Sequence, residues 1–241
     1  MFTNILHKIA SHPRVYDCIQ LIVGAGCTRR RLAESVACLD KANFVIDLGG
    51  GTGIHGDLWH SAGSYVCLDV DILKLEGFRS KCPEGMALLG DATKIPVKSN
   101  SIDVIMCTAV SHHLSDEMLS DLLDESARVL RTKGTFIFVD AVWKPERLLG
   151  RLLWKYDRGS APRTAQHLQG LIEKHYELIH IDVYSVWHEY LLCVGSKESG
   201  DRKQTSLGFC NDRRGERKTP PEMPGDFPIC DARRSNQSLA V

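Results

Sequence analysis

Neither sign of charge is in excess in this 241-residue sequence. Lys plus Arg number 30 and so do Asp plus Glu, so no global field draws the chain to nucleic acid. No apolar run approaches the length that crosses a bilayer, and there is no secretory h-region. The nine cysteines contain no C-x-x-C pair. That removes metal-site spacing, so no metal is expected, and it makes a reducing, cytoplasmic setting the expected one. Cys67 and Cys107 fall within apolar runs, where a free thiol acts as a small hydrophobe. No internal repeat occurs. What remains is a chain long enough for one α/β domain with appendages and a substantial core.

The chain is organised around Phe44-Val45-Ile46-Asp47-Leu48-Gly49-Gly50-Gly51-Thr52-Gly53, an apolar run that meets an acid and then a series of glycines. It reads as a buried parallel strand passing into a tight turn and then a helix over about 53–60. Glycine lets the backbone take positive φ and approach a ligand closely, and a helix N-terminus offers free N–H groups. Residues 51–56 match the G-x-G-x-x-G dinucleotide pattern literally. Asp47 argues the other way, because an acid beside the turn repels a pyrophosphate. It attracts a cation, such as the α-amino group of an amino-acid-bearing cofactor.

At these residues the chain resembles the class I S-adenosylmethionine-dependent methyltransferases, whose first motif is D-x-G-x-G-x-G. Asp47, Gly49, Gly51 and Gly53 fit it position for position. The resemblance covers about residues 42–194. It implies S-adenosylmethionine as cofactor and a Rossmann-like three-layer α/β sandwich, with a mostly parallel seven-stranded sheet and an antiparallel last strand.

In chain order, residues 1–42 read as an N-terminal helical cap, broken near Gly24-Ala25-Gly26, with Phe2, Ile5, Leu6 and Ile9 on one face. Met1 to Tyr16 also bears a faint likeness to a mitochondrial transit peptide. Arg29, Arg30 and Arg31 form a basic cluster, either a solvated helix face or a surface for an anion. The cofactor-binding domain is expected over 43–195, with strands ending at Leu48, Leu68, Leu89 and Cys107 and a fifth spanning 135–139. Ser115 caps a helix whose core face carries Leu119, Leu122, Leu123, Ala127 and Leu130. A substrate-side insertion covers 143–163, a helix 164–175, and two alternating strands 177–184 and 188–194. From 196 to 241 apolar periodicity vanishes and a disordered tail is expected.

Asp69, at the end of the second strand, is the expected ribose ligand, with Asp71 the alternative. By the resemblance, Asp91 and Ala92 contact adenine. The segment Thr108 to Leu114 lacks the N-P-P-Y-like motif of enzymes that methylate exocyclic amines of DNA bases or glutamine side chains. It looks instead like the subfamily acting on quinone, sterol and other lipid-like acceptors. His113, or Asp140 after the fifth strand, is then the candidate base, with His112 a weaker one. Trp143, Trp154 and Tyr156 are placed to enclose an apolar acceptor, and Arg158 and Arg163 to hold an acidic group. The expected activity is methyl transfer to a small or lipid-like acceptor. The alternatives are a non-catalytic cofactor-binding partner protein and, on the Gly51 to Gly56 match alone, a nicotinamide-dependent dehydrogenase.

Overall fold

The computed structural model describes residues 25–37, 39, 42–148, 150–151, 154 and 161–197. The strands are β1 (Phe44–Leu48), β2 (Ser64–Asp69), β3 (Met86–Leu89), β4 (Ile102–Thr108), β5 (Leu130–Val142), β6 (Glu177–Ser185) and β7 (Glu189–Ser196). The helices are α1 (Ala25–Val36), α2 (Ile72–Lys81), α3 (Asp116–Val129) and α4 (Ala165–Ile172). Seven strands form one sheet in the order β3-β2-β1-β4-β5-β7-β6. Pairing is parallel from β3 to β5, and β7 runs antiparallel to both β5 and β6. The expected Rossmann-like architecture, with its hairpin at the end, is the one observed.

Alternation along the strands builds the three layers, because successive side chains leave opposite faces of a sheet. Ile46, Ile105, Phe136 and Phe138 face one way, and α3 covers them with Leu119, Leu122 and Leu123, and α4 with Leu168 and Ile172. Val45, Val104, Ile137 and Val139 face the other way, against Leu32 of α1 and Leu75 and Phe78 of α2. The cap of α3 forms as read, the Ser115 hydroxyl accepting from the Met118 N–H at 3.2 Å. Asp116 and Glu117 in its first turn complement the helix dipole.

Three expectations are corrected. The helix over 53–60 is not formed: residues 51–55 are turns, followed by a 3₁₀ turn at Gly56–Trp59 whose capping residue, His55, makes no side-chain capping bond. So short a segment, with Gly56 inside it and no cap, cannot nucleate an α-helix, and the anion-attracting helix N-terminus goes with it. The second correction concerns Asp140. It lies inside β5, which runs on to Val142, because β7 pairs with β5 along that whole length up to Val142↔Glu189. The third is the domain edge, which passes 195: Ser196 is in β7, and the Lys197 ammonium donates to the Leu130 carbonyl at 2.9 Å. The expectations for residues 1–24 and for the tail from 198 concern positions outside the described residues.

Candidate functional site

The C-terminal edges of β1, β2 and β3 present Asp47, Asp69 and Asp91 side by side. The glycine turn hangs from β2, with the Gly49 N–H donating to the Leu68 carbonyl at 2.7 Å and the Gly51 N–H to Asp69 Oδ2 at 2.9 Å. Gly49, Gly51 and Gly53 take φ of 65°, 58° and 68°. A Cβ on Gly49 would collide with Val110, and one on Gly53 with Phe78, so both sites demand glycine on two counts.

Asp47 is 1% exposed. Its Oδ2 accepts from the Tyr65 hydroxyl at 2.7 Å, while its Oδ1 is buried with no hydrogen-bond partner. Burial pushes its carboxyl up to about 7, against the lowering hydrogen bond from Tyr65, and Asp69 adds to the rise. A buried carboxyl oxygen without a donor is costly. Its natural complement is a cationic ligand group.

Asp69 closes β2 and is also nearly buried. Besides the Gly51 N–H it accepts from the Asp71 N–H at 2.8 Å, so it braces the turn and retains lone pairs for a ligand. Asp71 is committed as the cap of α2, accepting from the Leu73 N–H at 3.0 Å. Asp91 is exposed and accepts from the Thr93 N–H at 2.8 Å. The Gly90 N–H donates to the Asp69 carbonyl at 3.0 Å, which ties this loop to the end of β2. Ala92 is buried against the core.

The loop after β4 rearranges the catalytic candidates. Val110 packs on Gly49, and a 3₁₀ turn, Ser111–His113, follows. His113 is exposed, whereas His112 is buried. His112 Nδ1 lies 2.6 Å from Asp140 Oδ1, and Asp140 also accepts from the Ser111 hydroxyl at 2.6 Å and from the N–H groups of Ser111, His112 and Ala141. Burial alone would raise the Asp140 carboxyl. The charge of His112 and these hydrogen bonds outweigh it and hold Asp140 below the usual carboxylate range. An acid so saturated with donors orients His112 and is a poor base itself.

Trp154 stands edge-on to His112 and to His188, with centroids 5.9 Å and 5.2 Å away. Trp143 is half-buried, and Tyr156 and Arg158 lie outside the described residues. Arg163 does not reach for an acceptor. It donates to the carbonyls of Ser111 at 2.7 Å and Leu114 at 2.7 Å and pairs with Asp116 at 2.6 Å, clamping the loop that carries His112. Arg29 and Arg31 are likewise taken up by Asp57 and Asp182. Tyr65, Ser111 and His188 were not singled out from the sequence. Tyr65 meets Asp47 across a diagonal of the β1–β2 pair, a relation that appears only once the register is known.

Residues 46–138 match the family profile described as "Methyltransferase domain". The chain carries a methyltransferase domain. Among curated proteins, the chain is 32% identical over 134 residues to the mouse tRNA (carboxymethyluridine(34)-5-O)-methyltransferase ALKBH8, covering 54% of this chain and 19% of that one. It is 34% identical over 103 residues to the uncharacterized methyltransferase YcgJ of Bacillus subtilis, covering 40% of each. The crystal structure of YcgJ superposes on it with a TM-score of 0.55 at 17% identity, covering 66% of this chain and 93% of that one. Magnesium protoporphyrin IX methyltransferase from Synechocystis, solved with bound SAH, gives 0.62 at 13% identity over 73% and 84%. The chain thus spans less than half the length of these curated relatives, and the structural likenesses concern the fold. The methyltransferase domain's residues fit its cofactor, since Asp47 Oδ1 is an unpartnered buried acceptor at the place where a cationic amine is expected.

Proposed function

We propose that this methyltransferase domain binds S-adenosylmethionine along the C-terminal edge of β1 to β3 and transfers its methyl group to a small or lipid-like acceptor. The observation that carries the reading is the buried, half-satisfied Asp47 carboxyl beneath three positive-φ glycines. Asp47 receives the ammonium, Asp69 the ribose hydroxyls, and Asp91 with Ala92 the adenine. When bound, the cofactor supplies an already activated methyl group, so the protein's task is alignment and exclusion of water.

Asp140 fixes His112 through Nδ1, and Arg163 holds the turn that presents it. His112 therefore replaces His113 as the proposed base, taking a proton from an acceptor that starts protonated, such as a phenol or quinol hydroxyl. Where His113 retains a part, it is as an exposed neighbour whose ring lies 4.1 Å from that of His112. A second reading, a modified nucleoside in tRNA, draws on the activity of the mouse relative. The balanced charge of this chain gives it no electrostatic support.

The test is transfer of radiolabelled methyl from S-adenosylmethionine to quinols, sterols, phenolic lipids and bulk tRNA. Label in a quinol or phenol, with His112→Gln slowing turnover by about 10²–10⁴-fold at unchanged cofactor affinity, supports the reading. Label in tRNA alone refutes the acceptor class.

A further inference from the structure

Residues 90–101 carry the chain from β3 to β4 without a helix or strand of their own. Wherever such a stretch is buried, its backbone groups must be satisfied from elsewhere, and Ile95, near its middle, is 2% exposed. Two side chains of α3 supply the partners. Glu125 Oε2 accepts from the Ile95 N–H at 2.8 Å. Arg128 donates from Nη2 to the Ile95 carbonyl at 2.8 Å, and from Nη1 to the Val97 carbonyl at 2.9 Å and the Ser99 hydroxyl at 3.2 Å. The two side chains also grip each other, with Arg128 Nε 2.6 Å from Glu125 Oε1 and Nη2 2.8 Å from Oε2. Arg128 holds the Glu125 carboxyl below the usual carboxylate range, and Glu125 raises the guanidinium in turn. Only a planar, five-donor fork meets a carboxylate and two carbonyls at once.

The loop held in this way leads directly into the cofactor site. The Asp91 carboxylate accepts from the Thr93 N–H and its carbonyl accepts from the Lys94 N–H at 3.0 Å, so residues 91–94 form one tight turn that ends where α3 takes hold of Ile95. Ala92 and Ile95 are both buried in the core layer that α3 covers. On its other side the turn is tied to the end of β2 by the Gly90 N–H on the Asp69 carbonyl. Asp91 itself is exposed, so its direction is set by these two anchorages.

We infer that Glu125 and Arg128 are positioning residues for the cofactor: by fixing Ile95 they hold Asp91 where its carboxylate meets the adenine amine, and they set the preference for adenine over a purine that lacks that amine. The inference rests on the reading of Asp91 and Ala92 as the adenine contacts, and it extends that reading to two residues of α3 that act through Asp91.

The experiment is calorimetric titration of the full chain with S-adenosylhomocysteine and with S-inosylhomocysteine, in which a carbonyl replaces the exocyclic amine. The parent should favour the adenosyl ligand by about tenfold or more, because a site built to hydrogen-bond a group rejects the analogue without it. Arg128→Met should weaken the adenosyl ligand by about tenfold and the inosyl ligand by less than about twofold, so that the preference disappears, and it should add little in an Asp91→Ala background. Glu125→Gln keeps the size of the side chain and an oxygen for Ile95 while losing the charge that grips Arg128. It should reduce the preference by about threefold, and it carries the comparison if circular dichroism shows Arg128→Met to be unfolded. A merely structural role weakens both ligands alike. Equal weakening of the two ligands, or an undiminished preference in the folded variants, overturns the proposal. An unchanged preference in Asp91→Ala refutes the adenine contact of the proposed function, and this inference with it. That failure is read from a separate variant.

Discussion

Asp47 trades stability for binding. Its folded carboxyl sits near 7, above the ordinary carboxylate value of about 3.9, so between about pH 4 and pH 7 the folded state holds a proton that the unfolded chain has released. The associated stability is present below about pH 4 and lost as pH rises through about 7. Asp47→Asn removes this dependence. In thermal melts without cofactor, its Tm relative to the parent should rise steadily from about pH 5 to about pH 8, by an amount worth on the order of 2–4 kcal/mol. A pH-independent difference would contradict the assigned burial. Asp140 carries the opposite sign: its carboxyl is held low, so its stabilisation is present above the unfolded value and lost only as pH falls through its lowered folded value. Both acids stood out in the sequence as candidates, since each follows an apolar run. Their opposite roles did not, because Tyr65, Ser111 and His112 reach them only through strand register and the Ser111–His113 turn.

At the scale of elements, the loop between β4 and α3 depends on a residue almost fifty positions away. Arg163 is 7% exposed and satisfies carbonyls of Ser111, Leu114 and Ala161 while pairing with Asp116 at the start of α3. Arg163→Met keeps most of the apolar stem but leaves buried carbonyls without donors. Urea unfolding should show a loss of about 3 kcal/mol, and turnover should fall with His112 no longer held. A loss below about 0.5 kcal/mol would mean that the loop stands without its clamp. The reverse lesson comes from the segment after the glycine turn. The motif promised a helix, yet Gly56 and the uncapped His55 leave only a 3₁₀ turn, and the Arg29–Asp57 pair joins this turn to α1. Helix α3 was readable to within one residue because cap, dipole charges and leucine spacing agree.

Over the whole molecule, alternation of two faces and the strand-helix order carried the architecture. The antiparallel β7 followed from reading the last two segments as a hairpin, although β7 proves to be buried continuously from Leu191 to Gly195 and not to alternate; the strand order appears only in the fold. The acceptor was not legible, because the residues proposed to enclose it come from separate loops and only pack together in the fold: His112 after β4, Trp154 in the insertion and His188 at the hairpin. The most direct test of the central claim is calorimetric titration of the purified chain with S-adenosylhomocysteine and with NAD, repeated on Asp47→Asn. The account predicts binding of S-adenosylhomocysteine but not NAD, with affinity for the adenosyl ligand falling about tenfold or more in the variant and, in the parent, as pH drops below about 7. Binding of NAD in its place, or equal adenosyl affinity in parent and variant, would contradict it.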